Sequence, residues 1–182
     1  MAKPDETHDP SLRSWIDAAN DPASEFPIQN LPYGVFVDNT GRRVGIAIGD
    51  RVLDLCKALD SGMFVGRAAQ AAHACRTGRL NELMSLGQPY WRELRRALSR
   101  AFREGAPVAP AMADCLVPAA DVVLELPVQI GNFTDFFSSI HHAANAGRLS
   151  RPDNPLLPNF MHLPVAYHGR ASSICVSGHP LR

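Results

Sequence analysis

The chain has 182 residues, of which 46% are hydrophobic and 20% are charged, a composition typical of a soluble globular protein. This length allows one ordinary domain, or a small domain followed by part of another. Eighteen basic residues balance eighteen acidic ones, so the net charge creates no field that would favour nucleic acid or an anionic membrane as a partner. Binding must therefore come from a local site.

The cysteines are spread along the chain without C-x-x-C spacing, at Cys56, Cys75, Cys115 and Cys175. The first thirty residues lack the apolar run of a secretory signal. No stretch approaches the ~18 apolar residues of a membrane-spanning helix. We therefore predict a cytoplasmic protein without membrane contact, whose cysteines are reduced and act as small buried hydrophobic residues.

The first ten residues are polar and predict a mobile end, and we place a flexible N-terminus over residues 1–14. Three short apolar segments then alternate with turn clusters, at Tyr33–Val37, Arg43–Ile48 and Arg51–Leu55. This pattern predicts three antiparallel strands in a small curled sheet or barrel. Gly45, inside the second segment, indicates a bend or a close backbone approach.

Helical signals follow the strands. We predict helices over 66–76, 80–86 and 89–104, with Gly87 ending the second and Pro89 in the first turn of the third. In the third helix, residues at helical spacing predict one buried face, made of Trp91, Leu94, Leu98, Ala101 and Phe102. Five arginines lie mostly elsewhere around its axis, which is more typical of a solvated face or a subunit contact than of nucleic-acid binding.

Residues 105–118 contain three prolines and several alanines, a composition that indicates a crossing between domains. The apolar segment Val122–Leu126 then predicts a strand entering the second domain. We therefore predict a first domain over 15–118 and a second over 119–182. The expected fold class is α+β, mainly β.

The segment 129–167 collects groups that could hold a cation, activate water and bind an organic acid. These groups are Asp135, His141, His142, Arg151 and Tyr167. Because Asp135 lies among phenylalanines, an unpaired charge there would be costly and a cation or arginine partner is expected. The residue types also allow a second interpretation, in which Asp135 caps a helix that starts near Ser138.

Several motifs resemble the fumarylacetoacetase family: TDFFSSIHHAANAG, RPDNPLLPN and YHGRASS, with FPIQNLPYGVF and VGIAIGDRVLDL upstream. The similarity runs from about Trp15 to Leu181. It implies hydrolysis of the carbon–carbon bond of fumarylacetoacetate to fumarate and acetoacetate, in tyrosine and phenylalanine catabolism. It also implies a barrel-like N-terminal domain, the truncated start of a β-roll catalytic domain, and a homodimer for the complete protein.

The resemblance assigns roles to five residues. Asp135 takes the position of a ligand for calcium or magnesium, and His142, rather than His141, that of the histidine that activates water. Arg151 and Tyr167 take substrate-binding positions. Phe137 stands at a further substrate-binding position where the family usually has tyrosine. The lost hydrogen bond is typically worth ~1.5–3 kcal/mol when the partner is charged, so we expect weaker binding.

One aspartate cannot supply the six or more oxygen donors that such a cation needs. The resemblance implies that the remaining ligands, and a glutamate that orients the histidine, lie beyond residue 182. We therefore predict that this chain alone neither holds the metal stably nor hydrolyses the substrate. Two alternatives stay open: a hydrolase of another acylpyruvate or diketo acid, suggested by Phe137, and a non-catalytic module that serves assembly.

Overall fold

A computed structural model describes residues 4–163, 165–169 and 171–180. The chain forms two compact units, Met1–Gln129 and Ile130–Arg182. Helices and antiparallel sheets occur together, which is consistent with the α+β class. In the described ranges the helices contain more residues than the strands, so the expectation of a mainly β fold is wrong. Within the described ranges, no helix combines the length and the apolar character needed to cross a membrane.

The first unit contains a five-stranded antiparallel sheet with the order β4-β3-β2-β1-β5. Its strands are β1 (Tyr33–Asp38), β2 (Gly41–Ile48), β3 (Arg51–Asp54), β4 (Leu116–Pro118) and β5 (Val123–Glu125). The three predicted strands are thus present. Among the residues that the structure describes, β4 and β5 do not pair with each other, so the sheet is open and no closed barrel is observed.

Glycines allow two features of the sheet: the turns between its first three strands and a close approach of side chains inside β2. Gly41 and Gly49 follow the ends of β1 and β2 with φ of 120° and 53°, a region that side chains rarely adopt. Inside β2, a Cβ on Gly45 would lie 2.5 Å from Val52 Cγ1 and 3.0 Å from the Phe36 ring. The predicted close approach at Gly45 is therefore confirmed.

Five helices belong to the first unit: α1 (Leu55–Asp60), α2 (Gly66–Ala74), α3 (Asn81–Leu86), α4 (Gln88–Phe102) and α5 (Ala109–Ala113). Single 3₁₀ turns lie at Glu6–His8, Asp17–Asn20, Cys75–Thr77 and Ala119–Asp121. Helix α1 is not predicted from the sequence, whose third strand is expected to continue to Leu55. Asp54 explains the difference, because its carboxylate accepts hydrogen bonds from the N–H groups of Cys56 (2.9 Å) and Lys57 (3.1 Å) and so begins a helix.

The core of the first unit lies between the sheet and the helices, and α2 packs against α4. On α4, Leu94, Leu98 and Phe102 have no exposed surface, as the predicted apolar face requires. Trp91 departs from that prediction and is 42% exposed. Its indole Nε1 donates to the carbonyl of Leu83 at 2.6 Å, so a polar bond rather than burial fixes this ring.

The expectation that the cysteines are buried thiols holds for two of the four. None of the four cysteines forms a disulfide in the described ranges. Cys75 and Cys115 are buried, Cys56 is half-buried and Cys175 is exposed. Burial raises the pKa of the Cys75 thiol to about 12, which keeps it protonated and unreactive.

The N-terminal residues form a packed strap, defined here as residues 4–9. Thr7 is fully buried, and its Oγ1 accepts a hydrogen bond from Arg95 Nε at 2.9 Å. Arg96 lies 3.4 Å from the Asp5 carboxylate and 3.3 Å from that of Glu6. The prediction of a mobile end is therefore wrong for this segment, because arginines assigned to a solvated face on α4 bind it.

The strand predicted over Val122–Leu126 exists, but it belongs to the first sheet. As β5 it pairs with β1, and β4 pairs with β3 at the opposite side. Without these two strands, the outer N–H and C=O groups of β1 and β3 would lack partners. The boundary between the compact units consequently falls after Gln129, eleven residues later than predicted.

The second unit contains β6 (Thr134–Phe137), α6 (Ile140–Arg148) and β7 (Val165–His168), with a 3₁₀ turn at Ala171–Ser173. Its two strands form an antiparallel pair in which Asp135 is opposite Tyr167 and Phe137 is opposite Val165. In the described part of this unit the sheet has only these two strands, so the finer expectation of a β-roll is not observed.

Candidate functional site

The β6–β7 pair brings two of the predicted site residues into direct contact. Asp135 and Tyr167 are cross-strand partners, and the Tyr167 hydroxyl donates to Asp135 Oδ2 at 2.7 Å. Asp135 is half-buried and lies inside β6, so it does not cap the following helix. The capping residue is Ser139, which rules out the second interpretation of Asp135.

A tight connection places His142 beside the end of β6. Only Ser138 and Ser139 separate the strand from α6, and Ser139 Oγ accepts a hydrogen bond from the His142 N–H at 3.3 Å. The first helical turn therefore folds back towards Phe137. The Phe137 and His142 rings lie 4.5 Å apart between centroids, with their planes inclined at 56°.

The alternation of a β-strand places these contacts on one side of the hairpin. Asp135 and Phe137 are two residues apart on β6, so their side chains point to the same face. Their cross-strand partners, Tyr167 and Val165, share that face. Because Phe137 touches His142, the carboxylate, the phenol and the imidazole all lie on this side of the hairpin.

Arg151 lies beside a separate small cavity of about 230 Å³. Its walls are mostly apolar and include Phe137, Phe160 and Val165, whereas Asp135, His142 and Tyr167 are not among the residues that line it. The Arg151 guanidinium is exposed, and its Nη2 lies 3.5 Å from the carbonyl of Pro155. Phe137 is thus the residue that connects Arg151 with the rest of the candidate site.

The donor set does not amount to a cation site. In the described ranges, no three histidine, cysteine, aspartate or glutamate side chains are close enough together to share a metal ion. Calcium and magnesium require six or more oxygen ligands, and Oδ2 of Asp135 already accepts the Tyr167 hydroxyl. Asp135 could contribute only part of a coordination sphere.

Two features that hold the hairpin and helix in place are not predicted from the sequence. At the open end of the hairpin, a side-chain hydrogen bond of 2.8 Å joins His168 Nε2 and Asn132 Oδ1, and Gly169 N–H donates to the carbonyl of Phe133 at 2.7 Å. This pairing becomes visible only once the strand register is known. The capping role of Ser139 is indicated in the sequence, since serines that directly precede a helical segment are typical N-caps.

Comparison with known proteins shows which family the chain resembles. A family model described as Fumarylacetoacetase N-terminal matches residues 29–127. Proteins named fumarylacetoacetase are similar over most of the chain: that of Oryza sativa subsp. japonica is 43% identical over 177 residues, and that of Mus musculus 45% over 179. The one from Caenorhabditis elegans is 44% identical over 179 residues.

These alignments cover 92% to 94% of the chain but only 41% to 42% of each relative. The chain therefore spans about two fifths of the length of the relatives that it matches. The family match falls within the first unit and covers more than half of the 182 residues. The resemblance seen in the motifs is confirmed, and the chain belongs to the fumarylacetoacetase N-terminal family.

Proposed function

We propose that this chain provides part of a fumarylacetoacetase-type active site, which hydrolyses fumarylacetoacetate to fumarate and acetoacetate. The observation that supports this most directly is the face of the β6–β7 hairpin on which Asp135, His142 and Tyr167 lie together. The identity of 43% to 45% with proteins named fumarylacetoacetase supports the same reaction. Because the chain spans 41% of those relatives, the activity of a whole protein is itself part of the proposal.

His142 is the proposed general base. A neutral imidazole takes a proton from water while the water oxygen attacks the acyl carbonyl carbon of the fumaryl group, which becomes the new carboxylate of fumarate. The carbon–carbon bond then breaks, and its electron pair moves to the acetoacetate carbon, where the adjacent carbonyl delocalises it. The proton held by His142 passes to that carbon. One water is consumed, and fumarate and acetoacetate are released.

Arg151 and Tyr167 are the proposed substrate contacts. The guanidinium offers a planar pair of donors suited to a carboxylate, and Arg151 is exposed beside an apolar cavity. The Tyr167 hydroxyl donates to Asp135, so Tyr167 also orients the carboxylate proposed to bind calcium or magnesium. Since the described residues do not complete a cation site, we derive no step of the reaction through the metal.

One observation favours a second substrate class, the acylpyruvates and other diketo acids. Phe137 has no hydroxyl and lines the apolar cavity beside Arg151. A site with this wall suits an acylpyruvate or another diketo acid with an apolar group at one end. Steady-state kinetics on a panel of such acids would separate the two substrates. A higher kcat/KM on an acylpyruvate than on fumarylacetoacetate would favour the second.

The test of the proposed function uses a chimera. The chain replaces the matched 179 residues of the Mus musculus relative, and hydrolysis of fumarylacetoacetate is followed by its ultraviolet absorbance. We expect turnover, and we expect His142→Ala to lower kcat by about 10²–10⁴. The neighbouring exposed His141 provides the matched control, and His141→Ala should leave kcat within about threefold.

Two outcomes would overturn this proposal. A chimera with native-like circular dichroism but no turnover would contradict the site assignment, and so would equal losses of kcat in the two histidine variants. A second measurement uses the 182-residue chain alone with added calcium or magnesium. We expect no enzyme-like turnover, because its described residues supply only part of a coordination sphere.

A further inference from the structure

The Phe137 ring lies against the imidazole of His142, so this residue affects the candidate site through its ring as well as through the absence of a tyrosine hydroxyl. The centroid distance of 4.5 Å and the inclined planes fall in the range of stabilising aromatic pairs. No hydrogen bond or ion pair links the His142 imidazole to another described residue. The Phe137 ring is thus the aromatic partner of this exposed imidazole.

Phe137 is itself held firmly enough to serve this purpose. It ends a strand whose four residues pair with Val165–His168, and it faces Val165 directly. Its half-buried ring lines a cavity wall together with the buried Phe160. On the helix side, the bond from the His142 N–H to Ser139 fixes the backbone of His142. Two fixed backbones thus bring the Phe137 ring against an imidazole that has no hydrogen bond or ion pair to another described residue.

We propose that Phe137 is a positioning residue for the imidazole of His142. Its aromatic ring limits rotation of the imidazole and holds it on the face that carries Asp135 and Tyr167. The ring rather than a polar group performs this role, so tyrosine would also serve and an aliphatic side chain would not. The catalytic consequence rests on the proposed function, whereas the positioning itself does not.

The experiment measures the imidazole directly, by NMR of the full 182-residue chain. The ring current of an aromatic ring displaces the resonances of the carbon-bound protons of an imidazole in contact with it, and the contact gives cross-relaxation between the two rings. We expect both signals for His142 in the unmodified chain and in Phe137→Tyr. We expect their loss in Phe137→Leu, with the signals of His141 unchanged.

Phe136 supplies the matched control on the same strand. It is the next residue, it points to the opposite face and its side chain is 60% exposed. Phe136→Leu makes the same chemical change without touching the pair, so the His142 signals should persist. Phe137→Met, which conserves apolar volume, repeats the test should Phe137→Leu lose the dispersed amide signals of β6 and β7.

Persistence of the His142 signals in Phe137→Leu or Phe137→Met would overturn the inference, and so would equal losses in Phe136→Leu and Phe137→Leu. In the active chimera, Phe137→Leu should lower kcat by about tenfold with little change in KM, and Phe137→Tyr should restore it. An unchanged kcat would also overturn the inference. NMR signals as expected in a chain whose chimera is inactive would support the positioning and contradict the proposed function.

Discussion

The first unit has an extended core in which Leu94, Leu98 and Phe102 have no exposed surface, whereas the second unit buries only Ala143 and Phe160 among its described hydrophobic residues. Large side chains of the second unit are instead exposed, including Phe136 at 60% and Leu149 at 90%. The hydrophobic effect therefore stabilises the first unit strongly and the second weakly.

The polar contacts differ in the same direction. All ion pairs between described residues join side chains of the first unit, including the buried Asp54 carboxylate and Arg43 at 3.0 Å. In the described part of the second unit, the polar contacts are hydrogen bonds rather than ion pairs, and they include the strand pairing, the Ser139 cap and the bond between Tyr167 and Asp135. The candidate chemistry thus lies on the unit with the smaller core, where single local contacts determine geometry.

The largest effect is expected when the same substitution, leucine to alanine, is made once in each unit. Leu98 has no exposed surface, so Leu98→Ala should lower the free energy of unfolding of the first unit by about 2–5 kcal/mol. Leu149→Ala, at 90% exposure, should change it by less than ~0.5 kcal/mol. Both tryptophans of the chain, Trp15 and Trp91, belong to the first unit, so fluorescence during urea unfolding reports that unit.

Equal effects of the two leucine substitutions would contradict the comparison. So would a shift of the fluorescence midpoint by Leu149→Ala as large as that caused by Leu98→Ala. A change of the urea m-value in Leu98→Ala would show that the mutation alters the compactness of a state rather than stability alone.

The next effect concerns the second unit, at Gly147 of α6, which lies against the backbone of Pro155. A Cβ on Gly147 would lie 1.9 Å from the carbonyl oxygen of Pro155. Gly→Ala within a helix ordinarily stabilises by about 1 kcal/mol, but here the neighbour is backbone, and we expect a net loss of about 1–3 kcal/mol. Faster amide hydrogen exchange in α6 would show it. Gly131→Ala, with nothing within 4 Å of the added Cβ, is the control.

A slower exchange of the α6 amides in Gly147→Ala would mean that the 150–160 segment moves aside at no cost. The second unit would then lack even this specific packing contact. An equal acceleration in Gly131→Ala would instead indicate a general loosening of the unit.

The sequence predicts the first sheet well because its strands have strong local signals. Aromatic and β-branched residues mark β1, and Gly41 and Gly49 mark the turns beside β2. The missed features depend on partners far away in the chain. The strap is held by Arg95 and Arg96, about ninety residues later, and β5 returns to pair with β1. No local pattern specifies such contacts.

The candidate site is predictable only in part. From residue types alone, Asp135 is as plausible a helix cap as a metal ligand, and His142 is more often a structural residue than a general base. Only the family motifs favour the functional roles. The contact between Phe137 and His142 could not be predicted from the sequence. Phe137 lies on a strand and His142 on a helix, with two residues between these elements, so neither the strand period of two nor the helix period of 3.6 relates the two side chains. The register that joins Tyr167 to Asp135 likewise spans thirty-two residues of loop and helix.

The smallest expected effect concerns the charged strap of the first unit. The Thr7 hydroxyl, followed by the Thr7 N–H and Arg96, lowers the pKa of Asp5 from 3.8 to about 2. Because the pKa is lower in the folded state, ionised Asp5 stabilises the unit above about pH 4, and this contribution is lost as the pH falls towards 2. Allowing for solvent screening, this contribution of Asp5 to the free energy of unfolding is about 1 kcal/mol.

Asp5→Asn should therefore unfold more easily than the unmodified chain at pH 5, and the free energies of unfolding measured by tryptophan fluorescence should converge near pH 2. Asp153→Asn, in the second unit, should leave the same curve unchanged. A constant difference between Asp5→Asn and the unmodified chain from pH 5 to pH 2 would show that the strap is held by packing of Thr7 rather than by the Asp5 charge.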